Sequence, residues 1–327
     1  MNATLQSPVR RIAALALSLA ILAAAAPLFA QNFPARPIRM VVAYPPGGAT
    51  DIVARAIAPK AQEALGQPVV IENQGGAGGK IGAQTVARAA PDGHTILLTV
   101  TGSHILALFE KDVNFHPIRD FTPITQAIET VLCIASNPAV GPKSMADLID
   151  YAKKNPGKLP YGTTGSETML AMEQVALLEK TKFLFIPYKG GAQATTDLLA
   201  GQVPLVLQPV VTFLSHVKSG KLRILAVMLP RRWDEMPDVP TIQEVVPGFE
   251  KAPGGMGIWG PAGVPAPIAT RLQQALAAGL RAPDTGEKLK AQGMIPIGST
   301  PQEFAREIDK GVAINERLIK VSGVQLN

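Results

Sequence analysis

The residues of this chain that could do chemistry lie mostly in small, backbone-rich turns. The first runs from Ala43 through Tyr44, Pro45, Pro46, Gly47, Gly48, Ala49 and Thr50 to Asp51, after a β-branched run at Ile38 to Val42. Such a stretch leaves a strand, turns sharply and enters a helix. The first N–H groups of that helix lack intrahelical partners and point into the crevice at the strand's carboxyl end, which is a place for a carboxylate. One helix terminus contributes only ~0.3 to 1 kcal/mol through its dipole, so several must converge to hold an anion. The pattern recurs at Asn73 to Gly79, Thr101 to Ser103, Gly162 to Ser166 and Lys189 to Gly191. Singly, each reads equally well as ordinary loop chemistry. Together they read as a cleft lined by backbone donors.

Other chemistries fail on spacing. A Walker A loop at Gly75 to Lys80 would need Gly where Gln74 stands and Ser or Thr where Ile81 stands. A dinucleotide fingerprint fails at Ala77 or at Ile81, depending on its start. His94, His104, His116 and His216 stand singly and Cys133 is the only cysteine, so no metal site is expected. Ser103 beside His104, and Ser166 beside Glu167, lack a Gly-x-Ser-x-Gly elbow and read as solvated loop residues. No cofactor and no catalytic residue is expected. No basic run with interleaved aromatics suggests nucleic acid.

The elements that must position these turns alternate. Strand runs at Ile38 to Val42, Val69 to Glu72, Thr95 to Val100, Phe183 to Ile186, Val203 to Leu207 and Leu222 to Val227 are interleaved with helical stretches. Those stretches are Asp51 to Leu65, Ile81 to Ala89, Glu167 to Glu179, Ala192 to Leu199 and Phe213 to Lys218. This order predicts parallel sheets built from βαβ units, an α/β class. Pro59 removes a donor from the first helix and is expected to kink it. Ser144 followed by Asp147 predicts a capped helix that Asn155, Pro156 and Gly157 stop. Apolar spacing predicts two late helices, at Pro267 to Leu280 and Pro301 to Ile319.

Residues 1–30 read as a secretory signal peptide, since Arg10 and Arg11 precede an apolar run from Ile12 to Ala26 that is too short to span a bilayer. Cleavage is expected near Ala30, and no cysteine follows that could carry a lipid anchor. Loss of Arg10 and Arg11, with no acid removed, lowers the formal charge from +6 to +4. A single cysteine excludes an internal disulfide, so the fold must rest on hydrophobic cores.

A series of motifs adds to this reading: Arg36-Pro37-Ile38, Tyr44-Pro45-Pro46-Gly47-Gly48 with Asp51, and Gly66-Gln67-Pro68-Val69-Val70 with Glu72-Asn73. It continues through Gly76 to Gly79, Ala90-Pro91-Asp92-Gly93, Pro187-Tyr188-Lys189-Gly190, Leu198 to Val203 and Gly220-Lys221-Leu222-Arg223. Asp238-Val239-Pro240-Thr241, Pro247-Gly248-Phe249 and Gly260 to Pro265 complete it. In this order, over almost the whole mature chain, it resembles the substrate-binding receptors of tripartite tricarboxylate transporters, the Bug receptors. The resemblance implies a type II periplasmic-binding-protein fold, two α/β lobes with a carboxylate cleft between them. It implies one lobe from residues 31–130 and 250–327 and a second from 131–249. It implies a monomer in the periplasm that delivers to membrane permease subunits. Carried over, it nominates Tyr44, Gly47, Gly48, Asp51, Thr101 and Ser103 on the first lobe, where the turn from Gly47 to Asp51 would hold waters that bridge to a ligand carboxylate. Thr163, Thr164, Gly165, Ser166 and Gln193 would face them.

Three departures bear on the ligand. The segment from Tyr161 to Ile186 is about two residues shorter than relatives carry, Leu207-Gln208 replaces a common Phe-Asp, and Gly255-Met256 replaces an aromatic pair. Gln208 is a neutral amide that satisfies no ammonium group, so a dicarboxylate, hydroxy acid or aromatic acid is expected. Two other readings stay open: a receptor that reports to a sensor kinase, and a secreted hydrolase or isomerase on the same scaffold.

Overall fold

Strand-to-helix alternation in this sequence resolves into two separate sheets. The computed structural model describes residues 33–324 and 326, apart from 112 and 189. The signal peptide read in residues 1–30, its cleavage near Ala30, and Lys189 therefore lie outside the described residues.

The first sheet has the order β11-β4-β10-β3-β1-β2. Its strands are β1 (Ile38–Val42), β2 (Val69–Asn73), β3 (Thr95–Val100), β4 (Phe121–Thr130), β10 (Met256–Pro261) and β11 (Met294–Pro296). β1 pairs in parallel with β2 and β3, as βαβ units require. β10 runs antiparallel to both β3 and β4, and β11 antiparallel to β4. The sheet is therefore mixed where an all-parallel one was expected. β10 enters it from the second lobe, and no crossover helix dictates its direction.

The second sheet has the order β7-β6-β8-β5-β9. It uses β5 (Leu132–Ser136), β6 (Pro160–Thr163), β7 (Leu184–Pro187), β8 (Leu205–Pro209) and β9 (Arg223–Val227). β6 pairs in parallel with β7 and β8, whereas β5 is antiparallel to β8 and β9. Helices cover both faces of each sheet, so period-two alternation feeds two cores per lobe. In the first lobe Met40 and Val42 pack with Val53, Ile57, Leu272 and Leu276, while Val41 points the other way to Leu97, Trp259 and Phe304. In the second, Ile134, Leu205 and Leu207 lie on one face and Cys133, Ala135 and Val206 on the other. Full burial of each large apolar side chain contributes roughly 1.5–3 kcal/mol.

Helix α1 (Ala49–Leu65) runs unbroken through Pro59 and ends at Gly66 in the left-handed region, φ 71°. The expected kink does not break it. Pro59 and Arg55, whose carbonyl loses its partner, both lie on the exposed face where water can replace the missing donor. Along the chain follow α2 (Lys80–Ala87), α3 (Thr101–Leu106), α4 (Met145–Lys154) and α5 (Ser166–Leu178). Ser144 caps α4 through Asp147 N–H as its sequence predicts. After α6 (Gly191–Leu199) come α7 (Leu214–Lys218), α8 (Ile242–Val245), α9 (Ala266–Arg281), α10 (Pro283–Lys290) and α11 (Pro301–Ser322). Thr300 and Glu303 form a capping box at the start of α11, which packs on both α3 and α5 and so touches both lobes.

The chain passes from the first sheet to the second at Val131, between β4 and β5, and is back in the first sheet at Met256, where β10 begins. Val131 N–H donates to Gly293 O at 2.8 Å, and its carbonyl accepts from Val210 N–H at 2.8 Å. Gly255 has φ 74° and sits so close to β4 that a Cβ would overlap the Ile128 carbonyl oxygen. Only glycine fits that return crossing.

Candidate functional site

Strand β1 delivers the first turn at its carboxyl end, and Asp51 shapes it. The buried Asp51 carboxylate accepts from Gly47 N–H at 2.9 Å, Arg55 Nε at 2.9 Å and Asn73 Nδ2 at 3.0 Å. Arg55, with the Gly47 amide and Asn73, holds its carboxyl at about 2, below the usual carboxylate range. Every hydrogen bond of the Asp51 side chain among the described residues lies within its own lobe, so it acts as a strut of the turn. Gly47 adopts φ 79°, which suits glycine, and Gly48 is the N-cap of α1 with no side-chain cap. The first N–H groups of α1 are therefore left for an acceptor from outside the helix.

The Tyr44 hydroxyl donates to Gly78 O at 3.1 Å and lies within hydrogen-bonding reach of Ser103 and Thr99. Burial raises its pKa. Thr101, fully buried at the start of α3, donates its N–H to Gly255 O at 3.0 Å, while its Oγ1 has no hydrogen-bond partner among the described residues. Tyr44, Thr101 and Ser103 thus share one rim of the first lobe.

In the second lobe β6 ends at Thr163, whose hydroxyl bonds Thr168 Oγ1. Thr168 donates to Gly165 O at 2.9 Å, so the proton between the two threonines belongs to Thr163. Thr163 is consumed inside its own turn. Thr164, Gly165 and Gln193 are exposed and Ser166 is half-buried, with Gly165 as the N-cap of α5. Gln208 on β8 is 1% exposed, and its Nε2 is partnerless among the described residues. It packs under Gly191, the first residue of α6. An unpaired buried amide is expensive unless something else satisfies it.

A larger groove of about 860 Å³, lined by residues such as Arg231, Trp233, Ile297 and Glu303, contains none of the residues nominated from the sequence. Its walls carry exposed ion pairs, Arg231 with Asp234 and Lys310 with Glu307. The partnerless buried atoms Thr101 Oγ1 and Gln208 Nε2 lie outside it.

The model of the tripartite tricarboxylate transporter family receptor, TctC, matches residues 53–324. The chain belongs to this family. This TctC receptor is 34% identical over 300 residues to BugT of Bordetella pertussis, covering 90% of this chain and 91% of BugT. Among solved structures, the periplasmic binding protein BugD superposes with a TM-score of 0.72 at 34% identity, covering 90% of this chain and 99% of BugD. An R. palustris protein solved with adipate superposes with a TM-score of 0.76 at 32% identity, covering 90% of this chain and 99% of that one. These likenesses agree with the two α/β lobes seen here.

The TctC chain also carries polar groups that the sequence reading misplaced. His104 was expected as a solvated loop residue, but it is 4% exposed and packed among Phe115, Phe121 and Trp259. Burial lowers its pKa to about 4, and its Nε2 bonds Pro117 O at 2.7 Å, so it is a neutral core histidine. Glu167 was read the same way. It lies instead between the lobes, with its Oε1 enclosed and partnerless among the described residues. Its place in the first turn of α5 was the one local signal for it, since an acid there is common. Nothing local announced its burial.

Proposed function

We propose that this chain is a periplasmic receptor that closes two lobes on a small organic carboxylate and hands it to the permease subunits of a tripartite tricarboxylate-type transporter. Residues 31–130 with 250–327 move as one lobe and 131–249 as the other, in keeping with the two sheets and the crossings at Val131 and 250–255. The carrying observation is the pair of buried, partnerless groups, Thr101 Oγ1 on the first lobe and Gln208 Nε2 on the second. Both can donate to an anion or hydroxyl, and neither supplies a full charge. Open N–H groups at the starts of α1 and α5 add donors from each side. Micromolar affinity corresponds to roughly −8 kcal/mol, more than one helix terminus provides, so both lobes must contribute.

A dicarboxylate, hydroxy acid or aromatic acid suits a neutral amide, and the R. palustris relative solved with adipate supports that class. Binding leaves the ligand chemically unchanged, consistent with membership of a receptor family. Export through the leader in residues 1–30 and action as a monomer complete the reading. A thermal-shift screen of the mature chain against a carboxylate library tests it, because a ligand that binds only the folded state raises stability by RT ln(1 + [L]/Kd). Stabilisation by dicarboxylates or hydroxy acids is expected. Stabilisation by none of them would remove the reading.

A further inference from the structure

Glu167 extends from the second lobe, at the second position of α5, and its Oε2 abuts Gly102 of the first lobe so closely that a Cβ there would overlap it. Its Oε1 lies 2.9 Å from where a Cβ on Gly254, in the return crossing, would stand. Around the same Gly254 position are Glu129 Oε1 at 3.1 Å and Lys251 Nζ at 3.5 Å. Lys251 is paired with Glu129 at 2.9 Å and also donates to Ala252 O at 3.2 Å. Two carboxylates and one ammonium therefore gather around Gly254 at the seam between the lobes. Of these, Glu167 is the one with no ion pair among the described residues.

We propose that Glu167 is a proton-linked latch: closure of the lobes buries it against Gly102 and Gly254 in its neutral form, so a proton is taken up as ligand is captured. This rests on the proposed two-lobe capture. The charges that face Glu167 decide the sign. Burial opposes its ionised form most, Lys251 favours it and Glu129 opposes it; together these raise its pKa from 4.5 to about 7. Tyr44, on the first-lobe rim, feels the Glu167 charge and offers no compensating positive one. Glu250, which lines the same seam, is occupied by Arg317 of α11. Glu167 is half-buried as a residue and its Oε1 is the enclosed atom; the space beside it is only about 20 Å³, room for about one water.

When the lobes part, Glu167 meets solvent and returns to an ordinary carboxylate, so the closed state holds a proton that the open state releases between pH 4.5 and about 7. Because the closed-state pKa is the higher one, closure is favoured as pH falls through 7, and the gain is complete below 4.5. With these two values, ligand affinity should be about tenfold higher at pH 6 than at pH 8.

The test uses the mature chain and adipate as probe. Titration calorimetry at pH 6.5, in two buffers of different ionisation enthalpy, should register uptake of most of one proton per adipate bound. Affinity should fall about tenfold from pH 6 to pH 8. In Glu167→Gln both the uptake and the excess pH dependence should vanish, and since the variant meets the same ionisation of adipate, the difference belongs to Glu167. A second arm needs no ligand: small-angle scattering of the wild-type chain should give a smaller radius of gyration at pH 6 than at pH 8, with Glu167→Gln unchanged between them. If adipate fails to bind at any pH, the choice of ligand class is at fault and the scattering arm still decides the latch. Wild-type scattering that does not change with pH, or proton uptake that persists in Glu167→Gln, would overturn the proposal.

Discussion

Replacing Gln208 by methionine separates binding from stability. Gln208 is 1% exposed, its Nε2 finds no partner among the described residues, and its Oε1 has only a 3.5 Å contact from Thr212 Oγ1. Leaving such a donor unpaired costs about 1–3 kcal/mol, and most of an amide's hydration is lost with no return. Methionine matches glutamine in length and flexibility and brings no donor. Gln208→Met should therefore make the ligand-free chain more stable by about 1 kcal/mol or more, a rise of roughly 2–4 °C in Tm per kcal/mol for a chain of this size. The same change deletes a donor from the ligand site and should weaken dicarboxylate binding at least tenfold, about 1.4 kcal/mol. Urea denaturation gives the first quantity and titration calorimetry the second. A variant that is less stable than wild type and binds dicarboxylate equally well would refute the assignment of Gln208 to the ligand.

Further predictions follow from the same geometry. Asp51→Ala removes the acceptor shared by Gly47, Arg55 and Asn73; discounted for the exposure of Arg55, the loss should be about 1–2 kcal/mol at neutral pH by urea denaturation. Because the Asp51 pKa is depressed to about 2, its contribution is present above 3.8 and is lost as pH falls through 2, so wild type and variant should converge in acid. Gly255→Ala forces a positive φ and an overlap with backbone that cannot step aside, and should destabilise by more than about 2 kcal/mol in thermal melts. Succinate and glutarate should bind more tightly than aspartate and glutamate in matched calorimetric titrations, because Gln208 is neutral and Asp51 is already held by Arg55 and Asn73.

The parallel strands and their turns were legible because each carries its own signal. β1 and β3 are β-branched or leucine-rich runs that end in glycine or hydroxyl residues, and the helices that follow repeat at helical spacing. β4 and β10 carried no such signal. β4 contains Pro123 and Gln126, β10 contains Gly257 and Gly260, and they pair with each other across some 130 residues of intervening chain. Their pairing belongs to the return crossing, which no local pattern encodes. The turn from β1 into α1 was legible for a similar reason, since its glycines and prolines mark a strand-to-helix junction. Asp51 was nominated for the ligand and is instead engaged within the turn, a distinction set by Arg55 four residues on and by Asn73 on the neighbouring strand. Glu167 was illegible because its environment is assembled by Gly102, Glu129, Lys251 and Gly254, residues of the opposite lobe and the return crossing, far from it in sequence.

A crystal structure of the mature chain grown with a saturating dicarboxylate would show which groups hold the ligand. One carboxylate should lie within hydrogen-bonding distance of Thr101 Oγ1 and the N–H groups that begin α1, directly or through one water, while the far end of the ligand reaches Gln208 Nε2. A ligand seated instead in the groove beside Trp233, with Thr101 and Gln208 still partnerless, would contradict the account.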